Sequence, residues 1–428
     1  MFRGSLKLLD EANEFDRQLT KKGLVLPDPQ VTAYVESVGQ RLVGDQPPLE
    51  RVNFKFRVLR DPMINAFALP NGSIYVNSGL LAILENEGEL ASVLGHEIIH
   101  VTRRHAYLFN RSLRKKTVVI NVIGMATGGY SPTVFGAVLL AAGAMSEAMV
   151  ASTISGYSQE QEREADRNGL DLINHGGYDP RAMPRTFELL DERLEYEPVE
   201  GIYRSHPKLK QRRNTTQELA DKLDNKDQRV GTEAEYLAST APAISYNILA
   251  DLGSRRARTA LARAERLTRW QPHDANYLVL QADAYRVLGA RTANPSEDEL
   301  EKHGQSEDRK RLFKLTEEEE QKVMLAKPGG PEERRANFEK AEKYYLEAAQ
   351  RDATLADPHR GLGFLYEEQA RPADAVREYR RYLELAAPGA SDRLRVERRA
   401  DALERTLAPQ ATPQASSQPM PIPQGARR

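Results

Sequence analysis

The chain has 428 residues, of which 40% are hydrophobic and 29% charged, and its formal net charge at pH 7 is −1. Two or three domains are expected, because a single hydrophobic core rarely serves more than about 300 residues. The near-neutral charge gives no electrostatic basis for binding nucleic acid, and the absence of cysteine excludes disulfides and thiolate metal ligands.

The first residues lead into a polar helical pattern without an apolar signal segment, which indicates either a cytoplasmic protein or one whose leader has been removed. Residues 5–45 predict two amphipathic helices, separated by Pro27 and Pro29. We expect residues 1–50 to pack against the domain that follows.

Three short strands are predicted next. Apolar residues alternate with polar ones over residues 53–59, and Asn71-Gly72 joins two β-prone runs at 66–69 and 74–76. The hairpin leads into a helix predicted over residues 80–85. Its outer edge has two interpretations, a purely structural hairpin or an edge that pairs with an extended peptide.

The central motif is Gly95-His96-Glu97-Ile98-Ile99-His100, within a helical apolar pattern from residue 89 to 104. Residues four apart share one helix face, so His96 and His100 can bind one metal ion while Glu97 acts as a general base. Two half-buried histidines on an ordinary helix are the alternative unless a third ligand exists. His105 is out of phase, which indicates a surface group or one that contacts a ligand from outside.

Residues 117–146 contain no charged side chain. A break at residues 127–132 leaves two halves that are each too short for a membrane span of about 20 residues. We expect residues 117–155 to form an apolar lid over the metal site or a membrane-facing hairpin, rather than an inserted span.

A second helix is predicted around residues 160–166, where Glu162 and Asp166 lie on one face and Ala165 permits close packing. Glu162 can complete a zinc site, and Asp166 can accept the outer N–H of a ligating histidine. Glu160 and Glu164 are predicted to be solvated, as is usual for acidic runs.

These motifs together resemble the gluzincin peptidases of the HtpX and CAAX-prenyl-protease family. The similarity covers residues 5–220 and includes Asn65-Ala66-Phe67, Gly79-Leu80-Leu81, the histidine motif and Glu162-x-x-Ala165-Asp166. It is greatest to a periplasmic branch that joins the peptidase domain to tetratricopeptide repeats. The resemblance implies that His96, His100 and Glu162 bind one Zn²⁺ per chain, that Glu97 is the general base and that Asp166 orients a ligand.

The resemblance extends to Ser205-His206-Pro207 and to Arg212. It implies that His206 approaches the zinc and holds the enzyme in a closed, latent state. In one place the chain departs from the family pattern, because Gln159 follows Ser158 where family members often have arginine. This departure puts one supporting ion pair in doubt.

After residue 222 the sequence becomes rich in helix-forming residues. Ala341 and Ala375, like Tyr345 and Tyr379, are 34 residues apart, which is the tetratricopeptide period. We therefore predict tetratricopeptide-like repeats over residues 223–407, with generic helical hairpins as the alternative. Stacked repeats provide a concave protein-binding surface.

A charged insertion is predicted at residues 294–335, ending in Pro328-Gly329-Gly330-Pro331. Residues 408–428 are rich in Pro, Gln, Ser and Ala and predict a disordered tail. The predicted fold is thus an α+β zincin-like metallopeptidase domain over residues 51–222, mostly helical with a small β-sheet, followed by an all-α repeat domain.

The predicted function is a zinc-dependent endopeptidase that cleaves misfolded or misassembled proteins in cell-envelope quality control. The repeats would recruit substrates or the envelope assembly machinery, in the periplasm or cell envelope rather than the cytoplasm, with peripheral membrane contact left open. The alternative is a chaperone-like binding scaffold whose peptidase site is mostly latent. A third interpretation, an integral membrane peptidase, depends on residues 117–146.

Overall fold

The computed structural model describes residues 3–44, 49–108, 157–194, 209–223, 229–253, 256–290 and 330–407. The predicted lid (117–155), His206, most of the insertion and the tail (408–428) lie outside these residues. Contacts divide the chain into two compact units, Met1–Arg351 and Asp352–Arg428. Each unit is described by itself below.

The first unit contains a three-stranded sheet and eleven of the described helices. Its first part comprises α1 (Arg3–Lys21), α2 (Pro29–Val43), β1 (Lys55–Leu59), β2 (Ala66–Ala68), β3 (Ser73–Asn77), α3 (Ser78–Leu81), α4 (Glu87–Thr102), α5 (Gln159–His175), α6 (Ala182–Leu194) and α7 (Leu209–Ala220). Helices α8 (Glu233–Gly253), α9 (Ala257–Trp270), α10 (Ala275–Ala290) and α11 (Pro331–Arg351) complete it.

The sheet has the strand order β1-β3-β2, with β1 parallel to β3 and β2 antiparallel to it. The predicted hairpin is present, since Ala66 pairs with Val76 and Ala68 with Ile74. Gly72 adopts a φ of 93° in its turn, a conformation that residues with a Cβ rarely adopt. Strand β2 therefore lies at one edge of the sheet in the described part of the chain.

Both faces of the sheet are buried, because alternate side chains enter two different clusters. Phe56, Val58 and Ile74 pack with α2 and α4 in the larger core. Phe67 and Tyr75 pack on the opposite face against α1, whose apolar stripe includes Phe15. The sheet therefore forms a layer between α1 and the helices that include the histidine motif.

The predicted helix over residues 80–85 is shorter in the structure, where α3 ends at Leu81. Two hydrogen bonds explain the early break. The Asn86 side chain accepts the Glu89 N–H at 3.0 Å, and the Glu89 carboxylate accepts the Glu85 N–H at 2.6 Å. These caps start a new helix, α4, at Glu87.

Helix α8 packs on the sheet-containing part of the first unit. Its Tyr236 hydroxyl donates to the Leu81 carbonyl at 2.8 Å, and Ser78 donates to the Asn247 side chain at 3.0 Å. Its apolar residues share a core with Ala82 and with α9 and α10. Residues 331–335, which the sequence places in the insertion, form the first turn of α11.

The second unit contains α12 (Asp357–Glu368), α13 (Pro372–Leu385) and α14 (Arg393–Leu407). Gly363 of α12 contacts the Tyr379 ring so closely that an added Cβ would overlap it. This small-against-aromatic contact joins α12 and α13 as a helical hairpin. The assignment of tetratricopeptide repeats, and the predicted domain boundaries, stay predictions.

The coarse prediction of fold is confirmed: the described chain is mostly helical, with a small sheet and an all-helical C-terminal region. None of the helices in the described ranges combines the length and the apolar content that crossing a membrane requires.

Candidate metal centre

The histidine motif lies on a helix that is buried on every side. Every residue of α4 from Glu87 to Val101 is buried, because the helix runs between the sheet, α2, α5 and α6. His96, Glu97 and His100 are only 3%, 1% and 2% exposed. Polar side chains in such a position require internal partners, since removing them from water without one is costly.

Helix α5 places the downstream carboxylates against this motif. It begins in a capping box, in which Ser158 and Gln161 exchange hydrogen bonds between side chain and backbone. Glu162 and Asp166 follow on the same face and are 3% and 5% exposed. Glu162 and Asp166 thus belong to the face of α5 that meets α4.

Two glycines allow α4 and α5 to approach closely. A Cβ on Gly95 would lie 2.9 Å from Ile173 Cγ2 and 3.3 Å from the Gly169 carbonyl oxygen. A Cβ on Gly169 would lie 3.2 Å from the backbone nitrogen of His96. All three distances are shorter than ordinary van der Waals contact, so the distance between the two helices depends on the absence of side chains at both positions.

The structure brings His96, His100 and Glu162 together. One potential ligand atom from each lies within 4.8 Å of the others. The two Nε2 atoms are 2.9 Å apart, and Glu162 oxygens lie 3.3 Å from His96 Nε2 and 3.8 Å from His100 Nε2. Three donor atoms therefore converge on one point.

The outer nitrogen of His96 faces a buried ion pair. Asp166 Oδ1 lies 3.0 Å from His96 Nδ1. Arg212 of α7 holds the same carboxylate in a two-pronged contact, with its Nε and Nη2 donating at 2.8 and 2.6 Å. The Arg212 side chain also lies over the Phe187 ring at 4.3 Å. Asp166 thus lies against the outer nitrogen of His96, with a cation behind it.

The outer nitrogen of His100 faces a different group. His105 Nδ1 lies 2.8 Å from His100 Nδ1, and His105 is fully buried. The Tyr157 ring stacks on His100, with 4.2 Å between ring centroids. His105 therefore lies outside the donor cluster and contacts one of its members from behind. His206 lies outside the described residues, so its predicted approach to the metal stays a prediction.

Glu97 stands beside the three converging side chains. Its carboxylate accepts a hydrogen bond from the Ala68 backbone N–H, and its Oε1 is buried without a hydrogen-bond partner among the described residues. Burial raises the pKa of Glu97 to about 7. A carboxyl group in this environment can hold a proton or release it near neutral pH.

The charges in the site are strongly coupled. Burial alone would lower the pKa of His96, but the carboxylates of Asp166 and Glu162 outweigh it and raise this pKa to about 9. Burial alone would raise the pKa of Glu162, but hydrogen bonding with His96 and the charges of His100, His96 and Arg212 hold it well below the ordinary value. Burial lowers the pKa of His100 well below its usual range. Without a metal ion, these shifts favour an ionised Glu162 carboxylate, a protonated His96 and a neutral His100.

The donor set suits a divalent cation. Two imidazole nitrogens and one carboxylate form a protein ligand set typical of catalytic zinc sites. The unpartnered Glu97 oxygen beside them fits a site in which a bound water would be its hydrogen-bond donor. The residues present therefore fit zinc, and His96, His100 and Glu162 are those that would hold it.

Sequence reasoning missed two contributions to this site. Arg212 entered only as part of a resemblance, and its contact with Asp166 was not expected. A signal was available, because the buried residues Leu209, Arg212 and Thr216 occur at helical spacing on one face of α7. The glycine contact between Gly95 and Gly169 gave no comparable signal.

The helix pair, the edge strand and the buried His-His-Glu cluster define the chain's first part as a metalloprotease-type domain. Residues 29–220 match Peptidase family M48. These residues therefore resemble a domain of this family, and the resemblance predicted from the sequence is confirmed over this part of the chain.

Relatives with curated names agree with this assignment. The chain is 33% identical over 202 residues to "Beta-barrel assembly-enhancing protease" of Escherichia coli (strain K12), which covers 45% of this chain and 39% of the relative. It is 31% identical over 178 residues to "Metalloprotease LoiP" of the same organism, covering 42% of this chain and 64% of the relative. "Mitochondrial metalloendopeptidase OMA1" of Arabidopsis thaliana is 30% identical over 170 residues, covering 38% of this chain and 31% of the relative. This chain thus spans about two fifths of the length of the first of these relatives.

Proposed function

We propose that this chain is a zinc-dependent endopeptidase that cleaves misfolded or misassembled proteins in the cell envelope. The observation that carries the proposal is the buried cluster of His96, His100 and Glu162, with the Glu97 carboxylate beside it. Buried polar groups that converge on one point, beside a Glu97 oxygen without a hydrogen-bond partner among the described residues, are costly to remove from water, so a purely structural role accounts for them poorly.

In this proposal each residue has a distinct task. His96, His100 and Glu162 hold the zinc ion. When bound, zinc supplies Lewis acidity to the scissile carbonyl group and to the attacking water. Glu97 accepts a proton from that water and returns it to the leaving amine. Burial and a nearby cation act in opposite directions on the pKa of Glu97, which suits a group that must both take and give a proton.

Strand β2 supports the proposal that the substrate is a polypeptide. It forms an edge of the described sheet, and its Ala68 N–H donates to Glu97. An extended peptide that pairs with this edge would therefore run next to the proposed base. Backbone pairing of this kind is independent of side chains, which suits a protease that acts on many unfolded sequences.

The wider role rests on the relatives and on the helical C-terminal region. The names of the matched relatives include proteases, and one refers to β-barrel assembly. We propose that the helices after residue 222 recruit substrates or an envelope assembly machinery, that the protein works in the periplasm or envelope, and that His206 restrains it. Release of that restraint should raise the rate of cleavage of an unfolded protein in a His206→Ala variant.

The decisive experiment compares the wild type with Glu97→Gln, using zinc content and cleavage of an unfolded protein. Glu97→Gln should retain one zinc per chain and lose cleavage by about 100- to 10,000-fold, because only the proton acceptor is removed. Glu160→Gln, the same change at an exposed position of α5, should behave like the wild type. Zinc-loaded wild type without any cleavage, together with full rescue of a deletion phenotype by Glu97→Gln, would instead establish a binding scaffold.

A further inference from the structure

His105 occupies a position that the chain reaches only through an unusual turn. Helix α4 ends at Thr102, and Arg104 then adopts a φ of 55°, which is uncommon for a residue other than glycine. This turn follows the last turn of α4 directly, and its Arg104 N–H donates to the Val101 carbonyl at 3.0 Å. It places the His105 ring, fully buried, directly behind His100.

Both ring nitrogens of His105 have a partner. Nδ1 lies 2.8 Å from His100 Nδ1, and Nε2 lies 3.2 Å from Glu164 Oε2 on α5. The other oxygen of Glu164 pairs with Arg103 at 3.2 Å. His100, His105 and Glu164 therefore form a row of contacts from the inner face of the site to the surface, because Glu164 is 42% exposed.

The short contact between two Nδ1 atoms restricts where the protons lie. A hydrogen bond needs one donor and one acceptor, so one imidazole must carry its proton on Nδ1 and the other must not. The Glu164 carboxylate only accepts, which requires the proton of a neutral His105 to be on Nε2. His105 Nδ1 is then an acceptor, and His100 must donate from its own Nδ1.

This arrangement leaves the lone pair of His100 on Nε2, the nitrogen that faces His96 and Glu162. The opposite arrangement would place a proton on that nitrogen and block it as a metal ligand. We propose that His105, directed by Glu164, is a positioning residue that fixes the ligating tautomer and ring orientation of His100. The inference rests on the proposed function, since it assumes that His100 binds the metal.

The test uses the full chain and compares His105→Phe with His105→Asn. Phenylalanine keeps an aromatic ring and removes the acceptor, whereas the asparagine side-chain oxygen can take the place of Nδ1. The readouts are the Zn²⁺ dissociation constant, measured against a competing chelator, and the visible absorption spectrum after Co²⁺ substitution. Thermal unfolding in excess EDTA separates loss of metal affinity from loss of fold.

We expect His105→Phe to weaken Zn²⁺ binding by about 10- to 100-fold and to change the Co²⁺ spectrum. His105→Asn should recover most of the affinity and the wild-type spectrum. Glu164→Ala should weaken Zn²⁺ binding less than His105→Phe does, and Glu160→Ala, at an exposed position of the same helix, should leave it unchanged.

Wild-type affinity and spectrum in His105→Phe would overturn the inference, and so would equal losses in both His105 variants that merely follow a lower unfolding temperature. Should His105→Phe fail to fold, Zn²⁺ binding by Glu164→Ala decides alone, because the Glu164 side chain is partly exposed and its loss should not prevent folding. Weaker Zn²⁺ binding would then support the inference, and an unchanged dissociation constant would overturn it. Failure of the proposed function is recognised separately, since the wild type itself would then neither bind Zn²⁺ nor cleave protein.

Discussion

The two histidines of α4 lie one helical turn apart, yet the groups behind them differ in charge and in depth. His96 meets the carboxylate of Asp166, which Arg212 holds in a fully internal ion pair. His100 meets His105, a neutral ring connected to the partly exposed Glu164. The comparison shows that one helix face can present two similar donors with different supports. A buried ion pair orients His96, whereas a neutral ring orients His100.

The difference has an energetic consequence. Asp166 and Arg212 are 5% and 7% exposed, so each would lose its nearest opposite charge inside the protein without the other. Glu164 and Arg103 are 42% and 52% exposed, and water already stabilises both. Damage to the His96 side should therefore lower both stability and metal affinity, whereas damage to the His100 side should act mainly on the metal.

The largest effect should come from Glu162, which both histidines share. Glu162→Ala removes the proposed third ligand and the negative charge nearest to the two Nε2 atoms. We expect Zn²⁺ affinity to fall by more than about 100-fold, beyond what loss of an outer partner causes. Competition with a chelator measures the Zn²⁺ affinity. Retention of stoichiometric zinc at wild-type affinity would exclude Glu162 as a ligand.

Asp166→Asn should be next in size and should distinguish the two sides. It leaves Arg212 buried beside an uncharged amide, which should cost about 3 kcal/mol of unfolding free energy and weaken Zn²⁺ binding about 10- to 100-fold. Denaturant unfolding with and without EDTA measures both. The matched control is Asp171→Asn on the exposed face of α5. Unchanged stability in Asp166→Asn would mean that the ion pair carries little weight.

Gly169→Ala tests the helix crossing on which both sides depend. The new methyl group would lie 3.2 Å from both the backbone nitrogen of His96 and the Met183 side chain, which should force α5 away from α4. We expect a loss of about 1–3 kcal/mol in unfolding free energy, together with weaker Zn²⁺ binding. Gly253→Ala is the control, because its methyl group would meet no described atom within 4 Å. Unchanged unfolding free energy and Zn²⁺ binding in Gly169→Ala would show that α4 and α5 can separate without cost.

The smallest effect is expected from Glu164→Gln, the counterpart of Asp166→Asn on the other side. Glutamine keeps an oxygen that can accept from His105, and the lost ion pair with Arg103 is solvent-exposed. Unfolding free energy should change by less than about 1 kcal/mol. Thermal or denaturant unfolding checks this, and a loss as large as that of Asp166→Asn would remove the proposed contrast between the two sides.

Much of this site could be predicted from local patterns. The spacing of His96 and His100 follows from the helical period, and Asn71-Gly72 correctly indicated the hairpin between β2 and β3. The acidic helix with Glu162 and Asp166 was also anticipated. These features depend on residues that are near one another in the chain, where sequence spacing fixes relative position.

What the sequence determined by itself was the residue types and their helical faces, and through them the family. Only the tertiary structure decided which faces meet. Arg212 reaches Asp166 across 46 residues, Gly95 meets Gly169, and His105 turns inward because Arg104 adopts a positive φ. Such contacts depend on how separate helices pack, and packing is set by the shape and burial of many side chains together rather than by any local period.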